Sequence, residues 1–307
     1  MKLLITGASG FLGKHVLNAF KTYNDIEITY YSSKDFDLTN YNDAIKCIEF
    51  VNPDTILHMA ALCGGILANK QRPATFINAN TRMALNIYDA ALYCKVSSII
   101  SLGSVCSYGL HCPVPFKEEN LFSEEPEPTN KFYGQAKRTL FYLSQAYRQE
   151  HGIKGAHLIP VNLYGEYDNF DLQSSHVIPA LIRKFTEAVK YGNDTVECWG
   201  SGNATREFLY AGDAALAISK AVATNFDYTE PVNLGTGKEI SITDLAVLIA
   251  KLTGFEGKIV FNGTVSDGQP KRMLDVSRAK ELLDFTANTT LEEGLIKTIN
   301  WYKSTLL

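Results

Sequence analysis

Three residues have the types and spacing for acid–base chemistry on a carbonyl group. Tyr133 and Lys137 form a YxxxK pair in a segment with helical periodicity, and this spacing places both side chains on one face of a helix. A phenol titrates near a pKa of about 10, and an adjacent ammonium favours the phenolate. An isolated pair of this kind is often only an exposed helical pair. Together with Ser104, which follows a β-like run, it predicts a tyrosine that exchanges a proton with a carbonyl oxygen while a nicotinamide exchanges hydride.

A glycine-rich turn near the amino terminus predicts where that nicotinamide cofactor binds. Gly7, Gly10 and Gly13 follow the first β-like run in a GxxGxxG pattern, and a helical segment comes next. Glycines permit a tight turn and close approach of a diphosphate, while the start of a helix offers N–H groups and partial positive charge. The spacing does not match a P-loop, so the remaining alternative is an ordinary strand-to-helix turn.

The residues after the second β-like run favour NADP(H) over NAD(H). An NAD site usually carries Asp or Glu there to bind the ribose 2′-hydroxyl. Ser32, Ser33 and Lys34 stand at this place, and their hydroxyl and ammonium groups suit a 2′-phosphate. Asp35 follows closely and keeps NAD(H) open as the alternative. The residues expected to bind the cofactor are Gly7, Ser9, Gly10, Phe11, Leu12, Gly13, Ser32, Ser33, Lys34, Asp37, Leu38, Ala60, Ala61, Tyr133, Lys137, Asn162 and Leu163.

An alternation of β-like and helical segments carries these residues. The β-like runs are 2–6, 26–31, 55–61, 98–102 and 156–163, and the helical ones are 41–51, 75–94 and 131–149. This alternation predicts an α/β fold with a doubly wound parallel (Rossmann) sheet. Later in the chain the pattern is more mixed, which predicts a smaller mixed α/β substrate domain. We assign 1–163, plus a returning segment around 207–236, to the cofactor domain, and 164–206 and 237–307 to the substrate domain.

Composition excludes several other classes of protein. The 307 residues are 46% hydrophobic and 20% charged, which excludes a disordered or fibrous chain. The net charge of -4 offers no basis for nucleic-acid binding. No apolar run approaches the roughly 20 residues that span a bilayer, and no secretory signal is visible. The six cysteines lack CxxC or metal-like spacing, so we expect a cytoplasmic protein without a metal site.

The sequence is similar, over nearly its whole length, to the extended branch of the short-chain dehydrogenase/reductase family. Within that branch it resembles the GDP-L-fucose synthases, which act on GDP-4-keto-6-deoxymannose. The segment around His176 is the most specific feature, because generic sugar-nucleotide epimerases do not usually share it. The segments that carry the resemblance are 63–66, 68–70, 127–130, 162–165, 168–170, 175–183, 199–202 and 267–272.

The resemblance implies a role for each catalytic candidate. A 4-keto group acidifies the protons on C3 and C5, and inverting both centres needs a base and an acid on opposite faces of the sugar. Cys106 matches the family's base and His176 its acid. Tyr133 would protonate the C4 oxygen as NADPH delivers hydride, assisted by Ser104 and Lys137. The residues that match the family's nucleotide-sugar pocket are Asn169, Arg183, Trp199, Arg206 and Lys271.

The resemblance also implies a homodimer formed through two long helices, for which 75–94 and 131–149 are the candidates. Departures near Cys106 leave its chemistry open. The family usually has Ser-Ser-Cys-Ile-Tyr-Pro after the fourth strand, whereas this chain has Val105 and Gly109 at the second and last of these positions. Lys131 and Phe132 also stand where the family tends to have Glu-Pro. C4 reduction of a GDP-4-keto hexose or heptose without epimerisation is therefore an alternative, and a redox-neutral NAD-dependent nucleotide-sugar 4-epimerase is a further one.

Overall fold

The computed structural model describes residues 1–263 and 267–306. A six-stranded parallel sheet forms the centre of the larger of its two lobes. Its strands are β1 (Lys2–Thr6), β2 (Glu27–Tyr31), β3 (Thr55–His58), β4 (Ser98–Leu102), β5 (Lys154–Pro160) and β9 (Val232–Leu234). Their order across the sheet is β2-β1-β3-β4-β5-β9, and every pairing is parallel. The predicted doubly wound parallel sheet is confirmed.

Helices cover both faces of this sheet. They are α1 (Phe11–Ala19), α2 (Tyr41–Val51), α3 (Ile66–Gln71), α4 (Pro73–Tyr93), α5 (Lys131–His151), α7 (Ala211–Ala223) and α9 (Ser277–Leu283). Successive residues of a strand point to opposite faces, so Leu3 and Ile5 pack with α1 and α7 while Leu4 packs with α2 and α4. β3 and β4 are buried almost throughout, as expected of strands covered on both sides.

A second lobe has its own sheets and core. Its strands are β6 (Asn162–Tyr164), β7 (Thr195–Trp199), β8 (Thr205–Tyr210), β10 (Glu239–Ser241), β11 (Lys258–Asn262) and β12 (Lys271–Arg272), and its helices are α6 (Val177–Tyr191), α8 (Ile242–Thr253) and α10 (Leu291–Ser304). β8 pairs with β6, β10 and β12, while β7 pairs with β11. Ile182, Phe185, Leu245, Ile249 and Ile299 lie in its buried core.

Several boundaries differ from the sequence prediction. The run at 55–61 is a strand only to His58, and Met59 and Ala60 then pass close to Gly7 of the glycine-rich turn. The run at 156–163 is two strands: the Val161 N–H still donates to Leu234 of β9 in the larger sheet, whereas the next residue starts β6, which pairs with β8 in the smaller lobe. The expected helices 75–94 and 131–149 match α4 and α5 to within two residues at each end.

The chain also crosses between lobes at places that the pattern did not indicate. β8 pairs with strands of the smaller lobe, but its Leu209 packs in the core of the larger lobe, so β8 lies between the two cores and leads into α7. Leu274, Ala279 and Leu283 pack in the core of the larger lobe, although they belong to the segment assigned to the substrate domain. Sequence periodicity in such short elements gives no indication of which sheet they join.

Candidate active site

The glycine turn between β1 and α1 has no room for side chains. Gly7 has a φ of +77°, and a Cβ on it would lie 2.8 Å from the backbone nitrogen of Ala60. A Cβ on Gly13 would lie 2.4 Å from the carbonyl oxygen of Gly7. α1 begins directly after Gly10, which has no side chain with which to cap the helix. The turn lies where the strand order reverses between β1 and β3, so its exposed backbone suits the diphosphate of a dinucleotide.

The turn after β2 combines a cation with a carboxylate. The backbone N–H and hydroxyl of Ser32 both donate to the Asp35 carboxylate, at 2.9 and 2.6 Å. Ser33 and Lys34 are exposed beside this pair. The expected contact with a 2′-phosphate therefore depends on Ser33 and Lys34 more than on Ser32, whose hydroxyl already donates to Asp35. Asp37 accepts hydrogen bonds from Thr39 and holds the next turn.

Ser104, Tyr133 and Lys137 come together at the carboxyl end of β4. Ser104 lies two residues after the end of β4, and its Oγ accepts a hydrogen bond from the Cys106 N–H at 3.2 Å. The Lys137 Nζ lies 5.9 Å from the centre of the Tyr133 ring and donates to the carbonyl oxygen of Leu102 at 2.8 Å. The structure thus brings the three predicted residues to one place, with Lys137 held by the backbone of the strand that carries Ser104.

The electrostatics of this group favour a proton-donating tyrosine. Burial raises the pKa of Tyr133 well above its ordinary value, and the neighbouring Cys63 raises it further. Burial also lowers the pKa of Lys137. The sequence predicts an ammonium that favours the phenolate, but in the structure burial outweighs that effect and Tyr133 keeps its proton at neutral pH. A protonated phenol is the form needed to donate a proton to a ketone oxygen.

Cys106 and His176 lie beside a buried arginine. Helix α5 packs directly on the turn that carries Cys106, since a Cβ on Gly134 would lie 2.4 Å from the Cys106 carbonyl oxygen. The Arg272 Nη1 lies 3.6 Å from the Cys106 Sγ, so a thiolate formed there would have a positive charge next to it. His176 precedes α6. Burial and then the charge of Arg272 lower the pKa of His176.

Arg206 extends this positive cluster. It lies opposite Arg272 in the register of β8 and β12, and its guanidinium donates to the carbonyl oxygens of Thr205 and Asp267 at 2.7 Å each. Burial and then the charge of Arg272 lower the pKa of Arg206 to about 10. Two adjacent guanidinium groups raise each other's electrostatic energy, which an anionic ligand would relieve. The cluster is therefore suited to a diphosphate group.

The other predicted substrate residues are more dispersed. Arg183 donates to the Glu187 carboxylate at 2.8 Å and to the Phe170 carbonyl oxygen at 3.2 Å. Asn169 donates to Ser174 within the same loop. Trp199 ends β7 with 48% of its side chain exposed, and the ammonium of a lysine lies over its ring. These contacts hold Arg183 and Asn169 within the second lobe.

The two residues of β12, Lys271 and Arg272, differ in burial. Lys271 is exposed, whereas its neighbour Arg272 is buried next to Cys106. Side chains alternate along a strand, but β12 has only two residues, and two residues show no alternation in the sequence. Sequence reasoning also gave no role to Cys63, whose Sγ lies 3.3 Å from the Tyr133 hydroxyl.

Comparison with known proteins agrees with this geometry. Residues 3–235 match the model of the NAD dependent epimerase/dehydratase family. The chain belongs to that family. It is 37% identical over 302 residues to the probable GDP-L-fucose synthase 1 of Oryza sativa subsp. japonica, a match that covers 98% of this chain and 92% of that protein. The predicted family resemblance is confirmed.

Two solved structures of family members superpose on the whole chain. A GDP-L-fucose synthetase from Naegleria fowleri bound to NADP is 28% identical with a TM-score of 0.89, and the match covers 99% of this chain and 94% of that one. A GDP-mannoheptose C4 reductase from Campylobacter jejuni with NADP bound is 26% identical with a TM-score of 0.87, covering 98% of each chain. One is named for GDP-L-fucose synthesis and the other for C4 reduction, and both structures contain NADP.

Neither a metal site nor a membrane-spanning helix is found in the part of the chain that the structure describes. Within residues 1–263 and 267–306, no three His, Cys, Asp or Glu side chains are grouped so that they could hold a metal ion. No helix in the described part of the chain is both long enough and apolar enough to cross a membrane.

Proposed function

We propose that this protein is an NADPH-dependent reductase of the C4 ketone of a GDP-4-keto-6-deoxy sugar, and that it also inverts C3 and C5. The observation that carries the proposal is the meeting of Ser104, Tyr133 and Lys137 with Cys106 and the positive cluster around Arg272. The thiol suits abstraction of a proton from carbon, and the two guanidinium groups suit an anionic substrate. The names of the relatives support the GDP-sugar substrate and the NADP cofactor.

The reduction requires one proton and one hydride. NADPH supplies the hydride when it is bound at the glycine turn. Tyr133 donates its phenolic proton to the C4 oxygen, and the Ser104 hydroxyl donates a hydrogen bond to the same oxygen. The Lys137 ammonium, 5.9 Å from the ring centre, stabilises the phenolate that remains on Tyr133. The products are the C4 alcohol and the oxidised cofactor, so protons and electrons balance.

The epimerisation uses the thiol and the imidazole. The Cys106 thiolate takes a proton from the carbon next to the ketone, and the Arg272 guanidinium offsets its negative charge. His176 returns a proton on the other face of the sugar. Burial and then the charge of Arg272 lower the pKa of His176, which disfavours its protonated form. Because the base must be deprotonated while the acid is protonated, we expect the rate of epimerisation to pass through a maximum with pH.

C4 reduction without epimerisation is the second candidate, and the loop after Cys106 favours it. A Cβ on Gly109 would lie 2.6 Å from the Glu124 side chain, so this loop lies closer to its neighbour than a proline would allow. The carbonyl oxygen of Gly109 accepts from Gln269, whose own oxygen accepts from Arg272. The placement of the loop is thereby linked to the cation beside Cys106, and an altered loop changes the surroundings of the base.

The proposal extends to assembly and location. Leu85 and Leu92 of α4 and Tyr142 of α5 are 39, 37 and 54% exposed, and these neighbouring long helices offer an apolar face for a second copy of the chain. We propose a homodimer through this face, in the cytoplasm, where the cysteines stay reduced. The division into a cofactor domain and a substrate domain, and the assignment of the site residues, belong to the same proposal.

An NADPH assay with several sugars in deuterated water tests both candidates. The purified protein is mixed with NADPH and, in turn, GDP-4-keto-6-deoxymannose and GDP-4-keto heptoses. Loss of absorbance at the nicotinamide band with one of these sugars is the expected result, and its absence with all of them overturns the proposal. Deuterium at C3 and C5 of the product indicates epimerisation, whereas a product labelled at neither carbon assigns the chain to the second candidate.

A further inference from the structure

Cys63 brings a second thiol to the proton donor of the proposed site. Its Sγ lies 3.3 Å from the Tyr133 Oη, within hydrogen-bonding distance for sulfur. The thiol is exposed, and it comes from the loop after β3 rather than from the β4 turn that carries Cys106. The reaction proposed above gives Cys63 no role.

Two buried asparagines fix the backbone on either side of Cys63. Asn80 of α4 accepts from the Leu62 N–H at 2.9 Å and donates to the Leu62 carbonyl oxygen at 3.1 Å. Asn69 of α3 donates to the Gly64 carbonyl oxygen at 2.8 Å. Both asparagines are 6% exposed. Three hydrogen bonds to the two adjacent residues give the thiol a defined position in an otherwise irregular loop.

The same helix also supports the tyrosine. The Phe76 ring of α4 meets the Tyr133 ring edge to face, with centroids 6.4 Å apart and an interplanar angle of 87°. Asn80 donates to the Phe76 carbonyl oxygen at 2.8 Å, so one asparagine holds both the segment beside the thiol and the residue beside the phenol. Contacts from α4 thus fix the loop that carries Cys63 and the Tyr133 ring relative to each other.

We propose that Cys63 is a positioning residue for Tyr133. A hydrogen bond between the Cys63 thiol and the Tyr133 hydroxyl holds the phenolic oxygen at the place where the ketone oxygen binds. The catalytic part of this inference rests on the proposed function, but the contact itself does not. A thiol and a phenol in contact resist ionising together, because two negative charges would then lie side by side.

The contact is tested without substrate by the alkylation rate of Cys63. The rate is measured with iodoacetamide at pH 7.5 by mass spectrometry of the peptide that contains Cys63. A phenol that donates to the thiolate stabilises the reactive form, so Tyr133→Phe should slow alkylation about 3- to 10-fold. Phe132→Leu, a change at the exposed neighbouring ring, is the matched control and should leave the rate unchanged. A rate in Tyr133→Phe equal to or above that of the wild type overturns the proposal.

The positioning role is tested by steady-state kinetics on the GDP-4-keto sugar. We expect Cys63→Ala to lower kcat about 3- to 10-fold with KM within about 2-fold, and Cys63→Ser to restore kcat because its hydroxyl replaces the hydrogen bond. Cys94→Ser, at the end of α4, is the control for loss of a thiol. Wild-type kcat in Cys63→Ala, or equal losses in the alanine and serine variants, overturns the positioning role. If the wild type oxidises NADPH with none of the sugars but Tyr133→Phe slows alkylation, the proposed function fails and the contact stands.

Discussion

Replacing Gly13 by alanine tests the cofactor turn through a contact that the structure measures. The new Cβ would lie 2.4 Å from the carbonyl oxygens of both Gly7 and Ala8. Ordinary contacts of this kind begin at 3.4 Å, so the start of α1 must move away from the turn by the difference, 3.4 − 2.4 = 1.0 Å. Both obstacles are backbone atoms of the turn itself, which no side-chain rotation relieves.

Two opposing effects set the expected loss of stability. Overpacking costs about 1–3 kcal/mol, while alanine gains roughly 0.5–1 kcal/mol over glycine within a helix. The net loss in the free energy of unfolding is therefore at most about 2.5 kcal/mol, small enough for the protein to stay folded. The displacement matters more for the cofactor, because backbone N–H groups that move by about 1 Å lose hydrogen bonds to the charged diphosphate, each worth about 1.5–3 kcal/mol.

Urea unfolding and titration of NADPH by fluorescence quenching measure the two quantities. We expect Gly13→Ala to weaken NADPH binding at least about 10-fold. Gly10→Ala should have a smaller effect, because its Cβ meets only the Gly7 oxygen at 3.3 Å. Gly263→Ala is the control, since no described atom lies within 4 Å of its Cβ. NADPH binding in Gly13→Ala within 2-fold of the wild type would refute the assignment of this turn to the cofactor.

Three further predictions follow from the same structure. Tyr133→Phe should lower kcat for NADPH oxidation by about 10²- to 10⁴-fold at an unchanged melting temperature, and a variant with full activity would exclude Tyr133 as proton donor. Lys34→Ala should raise KM for NADPH about 5- to 10-fold but leave KM for NADH unchanged, whereas equal changes for both cofactors would place the 2′-phosphate elsewhere. Burial lowers the pKa of His58 and of His157 to about 3, so the unfolded chain binds protons below pH 6.5 that the folded chain refuses, and stability falls as pH drops from 6.5 towards 3. Each histidine should cost about 2 kcal/mol at pH 5, so the Ser101→Ala/His157→Phe pair should reduce the loss measured by urea unfolding between pH 7.5 and 5 by about 2 kcal/mol; an unchanged loss would contradict the burial argument.

The helices and strands that are long enough to show a periodic pattern of apolar residues were predictable from the sequence. β1, β4, α2 and the two long helices carry enough residues for their period to show, and the glycine turn has a spacing that few other structures require. Ser104, Tyr133 and Lys137 were predictable for the same reason, because their spacing along regular elements determines where they meet.

The second lobe and half of its site were not predictable in this way. The change of sheet after Val161 depends on the pairing of β6 with β8, which is distant in the sequence. The burial of Arg272 instead of Lys271 depends on the partners of a two-residue strand. The Cys63 contact needs a loop that is fixed by side chains of another helix. Such features depend on long-range packing, which residue periodicity does not record.

Transfer of label from cofactor to sugar tests the central claim most directly. NADPH carrying deuterium at both C4 positions of the nicotinamide is incubated with the protein and GDP-4-keto-6-deoxymannose in ordinary water, and the product sugar is examined by mass spectrometry and NMR. One deuterium at C4 of the sugar is the result that the account predicts, because hydride reaches the carbon whose oxygen Tyr133 protonates. A reduced product without deuterium at C4, or NADPH left unoxidised by this sugar and by the GDP-4-keto heptoses alike, would contradict it.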